Sequence, residues 1–287
     1  MVFSAWVVSL ALGAAPDIVA LDNGAMRIEI DPREFVVRFV GKPGGENFLD
    51  PVIQGERTPA DAEHTPSTGL TTQVLPFPDD DALTHGPAEV LRQGPLHAVL
   101  MGPVSPENGL RVRKEFRLAD TEARAVFTVT VLAEKPDPLE VTVRNEARVP
   151  IGSALSAATG DAPLQVIESP APLELKMDAL GSIDVPPADI PGRVMLGALT
   201  ATLFHYRGQT RWAREVADVR LPVNAFPGGR NAVLVLDRPA NDYTATLAGA
   251  PGKVTSAAPL VFRELWIIET GSAVTPAPRP GPGETSR

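Results

Sequence analysis

The chain has 287 residues, a net charge of -9 and basic residues scattered along its length. That charge pattern excludes a nucleic-acid footprint and an affinity for anionic membrane surfaces. The absence of cysteine excludes disulfides and thiolate chemistry. Thirty prolines and 24 glycines predict many turns and few long helices.

The N-terminal run VFSAWVVSLALGAA is apolar, ends in small residues and precedes Pro16. It is too short to span a bilayer comfortably. It reads as the apolar core and cleavage site of a secretory signal over residues 1–15, although no Lys or Arg precedes it. The alternative is a first strand or an apolar arm. On the signal reading, the mature protein is periplasmic or secreted and has no membrane insertion.

Next come Met26, Ile28 and Ile30, alternating with Arg27, Glu29 and Asp31. After the turn Asp31-Pro32-Arg33, Phe35, Val37 and Phe39 alternate with Glu34, Val36 and Arg38, which reads as a β-hairpin closed by a Gly-Gly loop at Gly44-Gly45. Asp50 to Pro87 holds no sustained period, with a short strand expected at Leu70–Leu75. The run Asp79-Asp80-Asp81 invites a calcium reading; the alternative is a solvated acidic loop. Glu89 to Met101 predicts a strand pair broken at Gly94-Pro95.

Leu110 to Pro150 carries the clearest pattern: three runs of period two, separated by short breaks. Such runs are strands with one buried and one wetter face, and short breaks favour an antiparallel meander. Ile151 to Thr159 is small and apolar, suited to a strand that leaves room for a ligand. Leu173 to Met177 reads as a strand, and Met195 to Tyr206 as one long strand in mid-sheet. Trp212, Val216 and Val219 stand at helical spacing. Ala232–Leu236, Tyr243–Leu247 and Leu260–Glu269 complete the strands. The fold class is all-β: a single large antiparallel β-sandwich over residues 16–272, with a Pro/Gly-rich tail over 273–287.

The segments LDNGAMRIEIDP and VVRFVGKPGGENFL resemble the opening of the galactose-mutarotase-like (aldose 1-epimerase-like) supersandwich proteins. KEFRLADTEARAVFTVTVLAEKPDPLEVTVRNEARVP resembles the family's basic strand, amphipathic strand and a third strand ending in Val-x-Asn, here at Asn145. LVFRELWIIE is similar to the late strand on which aldose epimerases carry a catalytic glutamate. Uncharacterised proteins of the domain-of-unknown-function 4380 type are the nearest in pattern. The resemblance implies a saccharide ligand and no cofactor. It also implies a His-Pro-Tyr-Phe-Asn-like segment after Val-x-Asn, where this chain has IGSALSAATG and no histidine.

The resemblance makes Glu264 the catalytic candidate, a general base for the anomeric hydroxyl. On a strand face with Phe262, Trp266 and Ile268, its carboxyl is expected to be desolvated and its pKa raised. The opposite phase buries Arg263, Leu265 and Ile267 and leaves Glu264 in a surface ion pair. Lys114 shares a face with Leu110, Val112, Phe116 and Leu118, either snorkelling at an edge or meeting a ligand. Lys114, Arg113, His97, His205 and Trp212 are the ligand-binding candidates. Trp212, flanked by Arg211 and Arg214, is the expected exposed stacking platform. No His pair has metal-ligand spacing, so no metal site is expected.

Three functions fit these residues. One is an exported carbohydrate-binding protein without epimerase chemistry. Another is an active aldose epimerase or other glycan-modifying enzyme with Glu264 as base. The third is an exported structural or assembly protein that uses the sandwich as a scaffold. The sequence leaves open whether the chain is an enzyme, and its oligomeric state.

Overall fold

The computed structural model describes residues 17–49, 69–150, 155–158, 165–172, 182–185, 193–198, 202–217, 232–237 and 242–271. The N-terminal apolar run, His64, the Leu173–Met177 strand and the C-terminal tail lie outside the described residues.

In chain order the strands are β1 (Val19–Asp22), β2 (Arg27–Asp31), β3 (Val36–Gly41), β4 (Leu70–Leu75), β5 (Glu89–Gln93) and β6 (His97–Met101). They continue as β7 (Leu110–Leu118), β8 (Arg124–Ala133), β9 (Leu139–Pro150), β10 (Leu155–Ala158), β11 (Gln165–Glu168), β12 (Ser182–Val185) and β13 (Arg193–Ala198). The last six are β14 (Thr202–Arg207), β15 (Thr210–Val216), β16 (Ala232–Asp237), β17 (Asp242–Ala248), β18 (Gly252–Val254) and β19 (Leu260–Thr270). A one-turn helix, α1 (Asp81–Thr84), is the single helix among the described residues.

Two sheets form. The ten-stranded sheet runs β1-β2-β3-β4-β9-β17-β16-β13-β11, with β18 paired to β9. The nine-stranded sheet runs β12-β10-β14-β15-β19-β8-β7-β6-β5. The predicted meander is present as β7-β8, where Phe116 pairs with Phe127 in antiparallel register. The third run, β9, leaves it for the other sheet, between β4 and β17.

The sheets pack face to face because the central strands turn their apolar alternation inward. Val112 and Phe116 of β7, Phe127 and Val129 of β8, and Val141, Val143 and Val149 of β9 are all buried. An aromatic line crosses this layer. Phe116 stacks on Phe127 at 4.4 Å, Trp266 lies 5.1 Å from Phe127, and Trp212 meets Trp266 edge-on at 5.4 Å.

Three sequence expectations change. Met195 to Tyr206 is not one strand: β13 belongs to the ten-stranded sheet and β14 to the nine-stranded one. An apolar run suits either location, so composition does not reveal the crossing. The Trp212–Val216 spacing is not helical, because β15 spans both residues. Positions four apart share a face of a strand as well as of a helix. In β3 the expected phase breaks at Arg38. Ile30 pairs with Val37 and Glu29 with Phe39, a bulge that lets Val37 and Val40 both face the core.

Asp80 has a local role. It caps α1 by accepting from the Ala82 amide at 3.0 Å, and it accepts from Ser105 Oγ at 2.6 Å and Asn108 Nδ2 at 3.0 Å. No three His, Asp or Glu side chains among the described residues converge on a point suited to a metal ion.

Candidate functional site

Glu264 lies on β19 in the phase that faces inward, with Phe262, Trp266 and Ile268. It is wholly buried, so the surface ion pair expected from the opposite phase does not form. Across the sandwich, β9 projects Asn145 toward it, and Asn145 Nδ2 donates to Glu264 Oε1 at 2.8 Å. From neighbouring β15, Arg214 donates through Nε to Oε2 at 3.1 Å and through Nη2 to Oε1 at 3.2 Å. Trp266 Nε1 donates to Oε2 at 2.8 Å. Four hydrogen bonds thus occupy the two carboxylate oxygens.

The remaining donors of Arg214 are also used. Nη1 reaches the Ala245 carbonyl at 3.0 Å and Nη2 the Asn145 carbonyl at 3.3 Å. Thr72 Oγ1 on β4 donates to Asn145 Oδ1 at 2.8 Å and closes the network. These bonds tie the two sheets together at the centre of the sandwich, where a buried charge needs a partner and satisfied hydrogen bonds. A general base must reach its substrate within hydrogen-bonding distance. In this arrangement the hydrogen bonds to Glu264 among the described residues all come from protein donors.

His205 and Trp212 adjoin this network as register partners on β14 and β15. Their rings lie 5.0 Å apart, and both residues are fully buried. Trp212 is therefore not the exposed platform expected from its flanking arginines. Those arginines part company: Arg211 faces outward and bonds Glu269, while Arg214 turns inward. His205 Nδ1 sits 2.9 Å from Tyr243 Oη on β17. Burial, and then the positive charge of Arg214, hold His205 neutral well below the usual imidazole range. Its proton affinity is thus lower folded than unfolded, and the associated stability is present above about pH 6.5 and lost as pH falls. Melting temperatures between pH 7.5 and 5 are expected to drop in the wild type and to drop less in His205→Phe. Equal slopes would show that His205 titrates normally.

The other candidates lie elsewhere. Lys114 is buried at 1% exposure, with Nζ donating to the Phe35 carbonyl at 2.5 Å and lying 3.9 Å from the Phe35 ring centre. It neither snorkels nor faces an open surface. Burial brings its pKa down to about 7. His97 and Arg113 meet on the outer face of the nine-stranded sheet. His97 Nε2 is 3.1 Å from Glu115 Oε1, and Arg113 Nη2 is 2.7 Å from Glu115 Oε2. The structure thus gathers Glu264, His205 and Trp212 into the core, puts His97 with Arg113 outside, and leaves Lys114 by itself.

Sequence reasoning missed Arg214. A period-two reading of Trp212, Arg214 and Val216 finds it on the buried face, and the helical reading hides it.

No family model matches the sequence, and no curated protein matches it. Solved structures do match. A galactose mutarotase-like protein from Lactobacillus casei aligns with a TM-score of 0.60 at 10% identity, over 88% of this chain and 100% of its own. A galactose mutarotase related enzyme from Lactobacillus acidophilus gives 0.59 at 8% identity, over 89% and 98%. The fold is the galactose mutarotase-like sandwich. A TPR-domain containing protein from Parabacteroides distasonis shares it too, at 0.61 and 13% identity, over 92% of this chain and 50% of that one. At these identities the likeness is one of fold, and a fold does not carry a reaction with it.

Proposed function

We propose that this chain is an exported carbohydrate-binding protein on a mutarotase-like sandwich that does not interconvert anomers. The saccharide part of the reading is supported by the solved neighbours described as mutarotase-like. The loss of chemistry is supported by one observation: the four hydrogen bonds that close the Glu264 carboxylate inside the core. Ring opening needs a base at the anomeric hydroxyl and an acid at the ring oxygen, each transfer being worth about 10²–10⁴-fold. Glu264 presents no free oxygen for the first. Export rests on the apolar run before Pro16.

Polarimetry on freshly dissolved α-D-glucose and α-D-galactose tests the chemistry, and a glycan array tests the binding. The expected result is glycan capture with mutarotation at the buffer rate. Rapid mutarotation by the wild type that disappears in a folded Glu264→Gln variant would establish the enzyme instead. A second reading, a scaffold for protein contacts, is favoured by the occurrence of the same sandwich in half of a TPR-domain containing protein. An array on which nothing binds would favour that reading.

A further inference from the structure

Phe35 is the one non-glycine residue with a positive φ, 54°, among the described residues. Bulky side chains rarely adopt that region, and where they do their surroundings hold them there. Phe35 ends the turn between β2 and β3, two strands of the ten-stranded sheet. Its carbonyl and its ring both meet Lys114 on β7, in the other sheet, through the 2.5 Å hydrogen bond and the 3.9 Å ring contact. The near half of the turn is fastened separately. Asp31 Oδ1 accepts from the Arg33 amide at 2.8 Å and from the Glu34 amide at 3.3 Å, and the Ala88 amide donates to the Pro32 carbonyl at 2.7 Å. The Arg33 side chain stands in solvent, while Phe35 is fully buried. The turn is thus a surface segment with a hinge at one end and a buried latch at the other.

The latch holds a poorly satisfied cation. An ammonium has three donors, and among the described residues the Phe35 carbonyl is the one acceptor that Lys114 reaches. Its register partners, Leu100 on β6 and Val129 on β8, carry no charge. The charged groups of the turn and of α1 pair elsewhere: Arg33 with Asp17, Arg38 with Asp31 and Glu34, and His85 with Asp81. His85 is the titratable group that feels the Lys114 charge, and burial, the larger cause, together with that charge keeps it below the usual imidazole range.

We propose that the turn over residues 32–35 is a lid on Lys114, which opens while the rest of the sandwich stays folded and which proton uptake by the amine drives open. Opening gives the ammonium water in place of a single carbonyl and frees Phe35 from the left-handed region. Against it stand the burial of the Phe35 ring and the attraction between ring and cation. A neutral amine gains much less from water, so the lid shuts as pH rises. The sign follows from linkage. Between the closed-lid pKa of about 7 and the ordinary value of 10.5, the open form holds a proton that the closed form lacks. Opening therefore grows as pH falls through that window, by at most about tenfold per pH unit for one proton.

Hydrogen exchange read by mass spectrometry on the full chain tests this, from about pH 7.5 to about pH 9.5, above the range in which His85 titrates. After correction for the intrinsic effect of pH, protection of residues 32–40 is expected to rise by about tenfold or more across the series. Low urea should leave it unchanged, because local opening exposes little surface, while protection of residues 141–149 in β9 falls with urea. Lys114→Met is expected to remove the pH dependence of residues 32–40. Should that variant not fold, Phe35→Gly serves: it fits the positive φ but uncovers the amine, so protection there is expected to be lower and flat with pH. Wild-type protection of residues 32–40 that does not change with pH overturns the lid. So does protection that falls with urea as steeply as that of residues 141–149, since Lys114 would then reach water only by global unfolding.

Discussion

Glu264→Leu is expected to destabilise the protein by about 3–5 kcal/mol, because it leaves Arg214 charged and unpaired in the core. For a domain of this size that corresponds to a melting temperature lower by roughly 10 °C. Arg214 is wholly buried, and the carboxylate is its sole charged partner among the described residues. Its other two bonds go to backbone carbonyls. The double variant Arg214→Met/Glu264→Leu is expected to recover part of the loss. Removing both charges removes their desolvation cost, but Asn145, Trp266 and two carbonyls each lose a partner, at about 1–3 kcal/mol per buried group. Chemical denaturation of the two single variants and the double variant gives the coupling directly. A loss below about 1 kcal/mol in Glu264→Leu would show that the pair does not hold the sheets together.

The second large effect is a pH dependence from Lys114. Burial lowers its pKa from 10.5 to about 7. Between those values the unfolded chain carries the proton and the folded chain does not. Stability therefore rises with pH from about 7 to about 10, and is lost again as pH falls through the folded pKa. At about 1.4 kcal/mol per pKa unit, the upper bound is a few kcal/mol. The Phe35 carbonyl and ring both favour the ammonium form and reduce that figure. Lys114→Met removes the titration, so its stability should be flat across this window apart from changes shared with the wild type. Below pH 7 it is expected to exceed the wild type, less about 1–3 kcal/mol for the carbonyl left without a donor. Parallel pH profiles for the two proteins would mean that Lys114 keeps an ordinary pKa.

The sandwich was legible because period two survives in strands with one wet face. Leu110–Leu118 and Arg124–Ala133 lie where alternation puts them. Alternation reports which residues share a face, not which sheet a strand joins. For that reason alternation alone places β9 in the meander and joins the two strands between Arg193 and Arg207 into one. The candidate site was less legible for a related reason. Glu264 does share its face with Phe262 and Trp266, as one phase predicts. Whether a buried carboxylate is closed or open depends on residues far away in sequence, here Asn145 and Arg214.

The position of β9 also bears on how fast the chain can fold. Its two edges are taken by β4, from far upstream, and β17, from far downstream. The bonds that lock its centre join residues 73 and 119 positions apart. At equilibrium such distances matter little, since doubling a loop adds only about 0.6 kcal/mol. In time they matter more, because chains dominated by non-local pairing fold in roughly milliseconds to seconds. Until both arms arrive, β9, the longest strand among the described residues, presents two bare backbone edges to any other chain. Refolding yield is therefore expected to fall as protein concentration rises.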